Sequence, residues 1–255
     1  MGGIPFLSLN IMSFPLGKLP DRVFSDILKG AAEKSIEAGV VIGGGHSVTD
    51  KELKFGQAVI GYVNNNQIVD NSHAKAGDLI IITKPIGIGI ITTAMKMGGK
   101  VKAASFKQAV RVMECLNKDA RDIMVKNKIS CGTDITGFGL LGHLYEIASA
   151  SNVTLEIKHD SFDIIEGAFK LAEDGFFPGG AYNNLEYIKK FIKFKDGIDD
   201  VFKLLMCDPQ TSGGIAMFVS PQRLTRVQSL LNKMGLCHSV IGSVSHKTYY
   251  HISVI

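Results

Sequence analysis

Cys131-Gly132-Thr133-Asp134-Ile135-Thr136-Gly137-Phe138-Gly139-Leu140-Leu141-Gly142-His143 changes its hydrophobic period part-way along. Ile129 to Ile135 reads as a strand. From Gly137 to Ala150 the apolar residues Leu140, Leu141, Leu144, Ile147 and Ala148 recur at helical spacing. A strand that passes through a glycine turn into a helix is the unit from which mixed α/β domains are built. It sets Asp134 at the carboxyl end of the strand, just before a helix for which Thr136 is the expected N-cap. A carboxylate placed there suits a magnesium–phosphate site. Mg²⁺ takes one or two carboxylates and keeps other oxygens, while helix-end and glycine amides hold phosphate. The competing reading is that Asp134 itself caps or turns the chain.

The same pattern extends outward on both sides. Downstream, Val153–Ile157 and Gly214–Val219 read as strands, Val201–Met206 as helix or coil, and Gln222–Met234 as a helix. Ser239–Val244 and Tyr249–Val254 are expected to form a closing pair of strands. Glu173 to Lys195 reads as irregular, because Pro178-Gly179-Gly180 and Asn183-Asn184 break any period. Upstream, Ala76-Gly77-Asp78 is a turn into the strand Leu79–Thr83, and Ala104 to Lys126 predicts one long helix. Nearer the start, Ile4–Met12 predicts a buried strand. Leu19-Pro20-Asp21 opens a helix that Gly39 ends. Val40-Val41-Ile42 is then a short buried strand running into Gly43-Gly44-Gly45-His46-Ser47, and Phe55–Val63 is another strand before the polar turn Asn64–Asn66. Two domains follow, 1–66 and 76–255, in a mixed α/β (α+β) class.

Composition narrows the function classes. At 255 residues the chain is long enough for a real core without disulfide or metal staples. A net charge of +4 with scattered basic residues gives no nucleic-acid footprint. No stretch reaches the length of a membrane span, since Leu79 to Met95 is interrupted by Lys84-Pro85, Gly87 and Gly89. The four cysteines are far apart with no CxxC pair, so neither a disulfide framework nor zinc spacing is present. The first residues lack a basic region and a cleavage site, and a cytoplasmic location is expected. The 28 glycines cluster, which marks tight turns or close backbone approach. Gly43-Gly44-Gly45-His46 presents amides suited to an anion, or else makes a tight turn between strands. Cys207-Asp208-Pro209-Gln210-Thr211-Ser212-Gly213-Gly214 reads only as a polar loop, and no cysteine has a basic neighbour that would make it a nucleophile.

Four stretches carry a resemblance. They are Gly44-Gly45-His46-Ser47, Thr83-Lys84-Pro85-Ile86-Gly87-Ile88-Gly89, Thr133 to His143, and Cys207 to Gly214. In order and approximate spacing they resemble selenophosphate synthetase (selenide, water dikinase), which makes selenophosphate from selenide, ATP and water and releases AMP and phosphate. The resemblance implies a two-domain fold like that of aminoimidazole ribonucleotide synthetase, with a smaller N-terminal domain that pairs across a homodimer. It implies Asp134 as a Mg²⁺ ligand and Gly44, Gly45 and His46 as contacts to ATP, supplied across the dimer. Family members carry a further segment ahead of the point matching Met1, with a reactive Cys or selenocysteine, a nearby Lys and several Mg²⁺-binding Asp residues. The N-terminal domain is therefore expected to be truncated, as when an in-frame UGA is read as a stop and translation restarts at a later Met. No catalytic residue is expected within these 255 positions. One carboxylate cannot serve several Mg²⁺ ions, so the chain alone is expected to have little or no dikinase activity. The alternatives are another ATP-dependent synthetase of that superfamily, or a non-catalytic nucleotide-binding paralogue.

Overall fold

Strand alternation near the start and buried apolar runs further on give two kinds of sheet. The computed structural model describes residues 1–255, which divide into two compact units, Gly2–Ile68 and Val69–Ile255 with Met1.

In the first unit, β1 (Ile4–Phe14), β2 (Val41–Thr49) and β3 (Lys54–Tyr62) form a sheet of order β2-β1-β3, with α1 (Asp21–Ala38) on one face. β1 runs parallel to β2 and antiparallel to β3. Gly39 ends α1 at φ +77°, the left-handed C-cap that a residue without Cβ adopts at little cost. Alternate residues Ser8, Met12 and Phe14 are buried on the helix side, where the Phe14 and Phe24 rings meet edge-on at 5.3 Å. The other face is bare. It exposes Leu9, Ile11, Val41, Val48, Ile60 and Tyr62.

The glycine run is not a loop. β2 continues through Gly43, Gly44 and Gly45 to Thr49, and most of it is exposed, not buried. The register steps from Ser8↔Ile42 to Leu9↔Gly44, so Gly43 is the extra residue of a bulge. Gly44 has φ +140°, and a Cβ on Gly45 would overlap the main chain of Asn10. These glycines let the strand stay paired where side chains would push it off.

The second unit is a seven-stranded sheet of order β5-β8-β4-β9-β6-β10-β7 with helices on both faces. Its strands are β4 (Leu79–Ile82), β5 (Gly132–Asp134), β6 (Val153–Ile157), β7 (Ile192–Phe194), β8 (Ile215–Val219), β9 (Ser239–His246) and β10 (Ile252–Val254). Its helices are α2 (Ile88–Lys96), α3 (Ala103–Glu114), α4 (Lys118–Lys126), α5 (Gly139–Ala150), α6 (Ala168–Glu173), α7 (Gly179–Ile188), α8 (Asp200–Leu205) and α9 (Pro221–Lys233). Strand periodicity divides the core. Ile80, Ile82, Ala216 and Phe218 pack with the side chains of α2 and α5, whereas Ile81, Met217 and Val219 pack with those of α4 and α9.

Three local expectations fail for tertiary reasons. The long helix breaks into α3 and α4, because the carbonyls of Val112 and Cys115 leave the helical ladder to bind Lys84 Nζ at 3.0 and 2.6 Å. The stretch expected to be irregular holds α7 and β7, Gly180 lying so close to Pro209 that a Cβ would sit 2.8 Å from its ring. β9 and β10 do not pair with one another, since β6 lies between them. No helix is long and apolar enough to cross a membrane.

Candidate functional site

The helix α2 has no cap of its own. Its preceding residue, Gly87, has φ +113° and offers no side chain to the free amides of the first turn. The cap comes instead from a segment about 120 residues away. Gln210 Oε1 accepts from the Gly87 and Ile88 amides at 3.2 and 3.3 Å, and Asp208 Oδ2 accepts from Gly89 at 3.0 Å. Gln210 Nε2 in turn donates to Asp208 Oδ2 at 2.8 Å. Asp208 is fully buried, its Oδ1 has no partner, and burial pushes its carboxyl up to about 7. The loop that reads only as polar is therefore a remote helix cap, and it fills a helix terminus where an anion would otherwise fit.

The adjoining cation is equally committed. Lys84 is buried, and its Nζ donates to three carbonyls, those of Val112, Cys115 and Ser212, at 3.0, 2.6 and 2.7 Å. Burial lowers its pKa. Thr83 Oγ1 accepts from the Ile215 amide at 2.9 Å, and a Cβ on Gly214 would lie 2.6 Å from the Lys84 backbone nitrogen.

The turn between β5 and α5 locks into the same assembly. Asp134 pairs with Ile215, and the Thr136 carbonyl accepts from the amides of Gln210 and Gly139, each at 3.0 Å. Asn184 Nδ2 donates to the carbonyls of Gly137 and Cys207 at 2.9 and 3.0 Å. Gly139, at φ +68°, packs so tightly on Cys207 that a Cβ would be 2.6 Å from its carbonyl carbon. Thr136 is not the N-cap of α5. The helix begins two residues later than expected, with Phe138 in the capping position and no side-chain cap, while Thr136 Oγ1 meets His143 Nε2 at 3.0 Å. Asp134 is exposed and its carboxylate takes no part in this network, so it neither caps nor pins the turn.

A lone, unengaged carboxylate fits one ligand position of Mg²⁺, whose remaining positions go to water and phosphate oxygens. No group of three or more His, Cys, Asp or Glu side chains gathers into a metal site. Gly44, Gly45 and His46 lie in the other unit, where with Asn10, Met12, Phe24 and Ile42 they line a cavity of about 280 Å³ beside α1. His46 is exposed on the edge strand β2. All four cysteines are free; burial pushes Cys131 and Cys207 up to about 12, and partial desolvation with the Asp163 carboxylate 2.9 Å from its sulfur pushes the exposed Cys237 up to about 12. Thiols in that range stay protonated and are poor nucleophiles.

Comparison with known proteins decides the family. The model of the AIR synthase related protein C-terminal domain matches residues 75–255, and that of the N-terminal domain matches residues 1–63. The selenide, water dikinase of Caldanaerobacter subterraneus subsp. tengcongensis is 43% identical over 255 residues, spanning all of this chain and 73% of the relative. This chain belongs to the selenide, water dikinase family. Another member, from Clostridioides difficile (strain 630), is 40% identical over 256 residues and again has 73% of its length covered. Among solved structures, thiamine-monophosphate kinase from Stenotrophomonas maltophilia K279a superposes with a TM-score of 0.74 at 15% identity, covering all of this chain and 73% of that one. Hydrogenase maturation protein HypE in complex with ATP gives 0.69 at 18% identity, covering 96% of this chain and 66% of that one. At such identities the two structures establish a shared fold.

Proposed function

We propose that this chain serves the ATP-dependent synthesis of selenophosphate from selenide and water, with AMP and phosphate as the other products. The observation that carries the proposal is the match to named selenide, water dikinases along the whole chain, at 43% identity for the Caldanaerobacter relative. The geometry supports it. Three motif loops spend their polar groups on one another and leave the Asp134 carboxylate free at the strand end. In this reading Asp134 holds a Mg²⁺ ion that would neutralise charge on the phosphates of ATP. Gly44, Gly45 and His46 of the second copy in the dimer contact the nucleotide, the glycines because only a bare backbone permits close approach. The chain's own part is positioning, since phosphoryl transfer asks for orientation and electrostatic stabilisation more than covalent chemistry. In this reading one free carboxylate serves one metal, so these residues alone bind nucleotide with little or no dikinase activity.

The bare face of the first sheet supports a homodimer. Ile11 is 59% exposed, Val41 67% and Tyr62 55%, a contiguous apolar surface of the sort that marks an interface. Free thiols at all four cysteines suit a reducing compartment such as the cytoplasm.

The test is calorimetric titration of the chain with ATP, with and without Mg²⁺, alongside Asp134→Ala. Mg²⁺ should tighten binding by the wild-type chain and not by the variant. Equal Mg²⁺ dependence in both would remove Asp134 from the site. Phosphorus NMR under anaerobic conditions with selenide then measures turnover, and a rate equal to that of the Caldanaerobacter relative would overturn the one-carboxylate argument.

A further inference from the structure

We infer that His143, oriented by Glu146, is a positioning residue for the Asp134 carboxylate; the inference rests on the reading of Asp134 as a Mg²⁺ ligand. Among the eight buried residues of α5, His143 is the only polar one. An imidazole in such a setting must have both ring nitrogens satisfied, or its burial costs free energy with nothing to offset it. Both are satisfied. Nδ1 lies 3.2 Å from Glu146 Oε2, and Nε2 lies 3.0 Å from Thr136 Oγ1.

Donor and acceptor roles follow from the partners. A carboxylate only accepts, so Nδ1 carries a proton, and in the neutral ring the Nε2 lone pair accepts from the Thr136 hydroxyl. The His143 side chain is 10% exposed and its ring packs on Phe138 at 5.6 Å between centroids, so it has little freedom to turn. Thr136 is thus held twice. Its carbonyl is tied by the Gln210 and Gly139 amides, and its hydroxyl by His143. The main-chain ties leave rotation of the side chain unconstrained. The hydroxyl tie removes that freedom two residues from Asp134.

A turn tied through the Ile135 amide, the Thr136 and Gly137 carbonyls and the Thr136 hydroxyl, with the neighbouring carboxylate left free, is what a preorganised ligand requires, and groups that orient metal ligands are worth about ten- to a hundredfold in metal affinity in other proteins. If the hydrogen bond only stabilised the turn, removing it would lower the melting temperature and leave metal affinity unchanged.

The experiment is nucleotide titration of the full chain over a range of Mg²⁺ concentrations, with thermal unfolding of each variant. His143→Leu should raise the Mg²⁺ concentration needed for half-maximal tightening by about tenfold or more, with Mg²⁺-free nucleotide affinity unchanged. His143→Gln keeps an acceptor near the Nε2 position and should restore most of the loss. Glu146→Ala, whose side chain is 44% exposed, leaves the core filled and should give a smaller loss in the same direction; it carries the test if the leucine variant does not fold. Wild-type Mg²⁺ dependence in a folded His143→Leu or Glu146→Ala chain overturns the inference. If Asp134→Ala also leaves Mg²⁺ dependence unchanged, the metal reading falls with it. If that variant loses the dependence, only the positioning role falls.

Discussion

Replacing Asp208 by Asn isolates the buried carboxyl that caps α2. The group is fully buried, and its carboxyl is raised from 3.8 to about 7, chiefly by burial. A folded chain that holds this proton more tightly than the unfolded chain does is stabilised by it at low pH. That contribution is complete below about 3.8, falls as pH rises through the window to about 7, and is gone above it. The gap is about 3 pH units, which corresponds to roughly 4 kcal/mol at most. The opposing pull of the Gln210 side chain and the Gly89 amide is already contained in that value. Asn is nearly isosteric, its oxygen can still accept from Gly89, and it does not titrate. Urea unfolding of both proteins at half-unit steps from pH 5 to 8 gives a difference curve in which all other groups cancel. Matched on the plateau below about 3.8, the Asn variant should already lead the wild type by about 1.6 kcal/mol at pH 5, then gain on it by about 1.4 kcal/mol per pH unit until the curve flattens above 7. A flat difference would mean that Asp208 stays ionised throughout and that its role as a charged cap outweighs its burial.

Lys84→Met should lower stability by about 3 kcal/mol or more in urea melts, because three carbonyls lose their donor; a loss below about 1 kcal/mol would mean that water replaces it. Gly139→Ala should cost at least about 2 kcal/mol from its left-handed φ and the overlap with Cys207, whereas Gly137→Ala, with nothing within 4 Å, should stay within about 1 kcal/mol. Equal melting temperatures for the two alanine variants would refute the close approach. Ile11→Lys, at a side chain 59% exposed, should leave the fold intact and shift sedimentation from dimer to monomer; an unchanged sedimentation profile would place the interface elsewhere.

What could be read along the chain was whatever local chemistry determines. β6 spans Val153–Ile157, the range its apolar run predicts, and α1 stops where Gly39 supplies a left-handed residue. α2 has no local signal, because Gly87 and Gly89 look like breakers and the groups that rescue the helix lie at Asp208 and Gln210. The long helix was read through Cys115 for the converse reason. Nothing near that residue stops a helix, and Lys84 captures its carbonyl from another segment.

The site divides along the same line. Asp134 was legible as a carboxylate at a strand end, but its two readings, ligand or cap, differ only in whether neighbours engage it, and those neighbours come from Gln210, Asn184 and His143. The longest motifs identify the family while most of their polar atoms bind one another. Asp208 and Gln210 close a helix end, Lys84 gathers carbonyls, and Thr136 takes a histidine. Polar residues in such motifs are then poor guides to ligand contact when taken singly. The residues to test are those that the network leaves out, and Asp134 is the carboxylate among them.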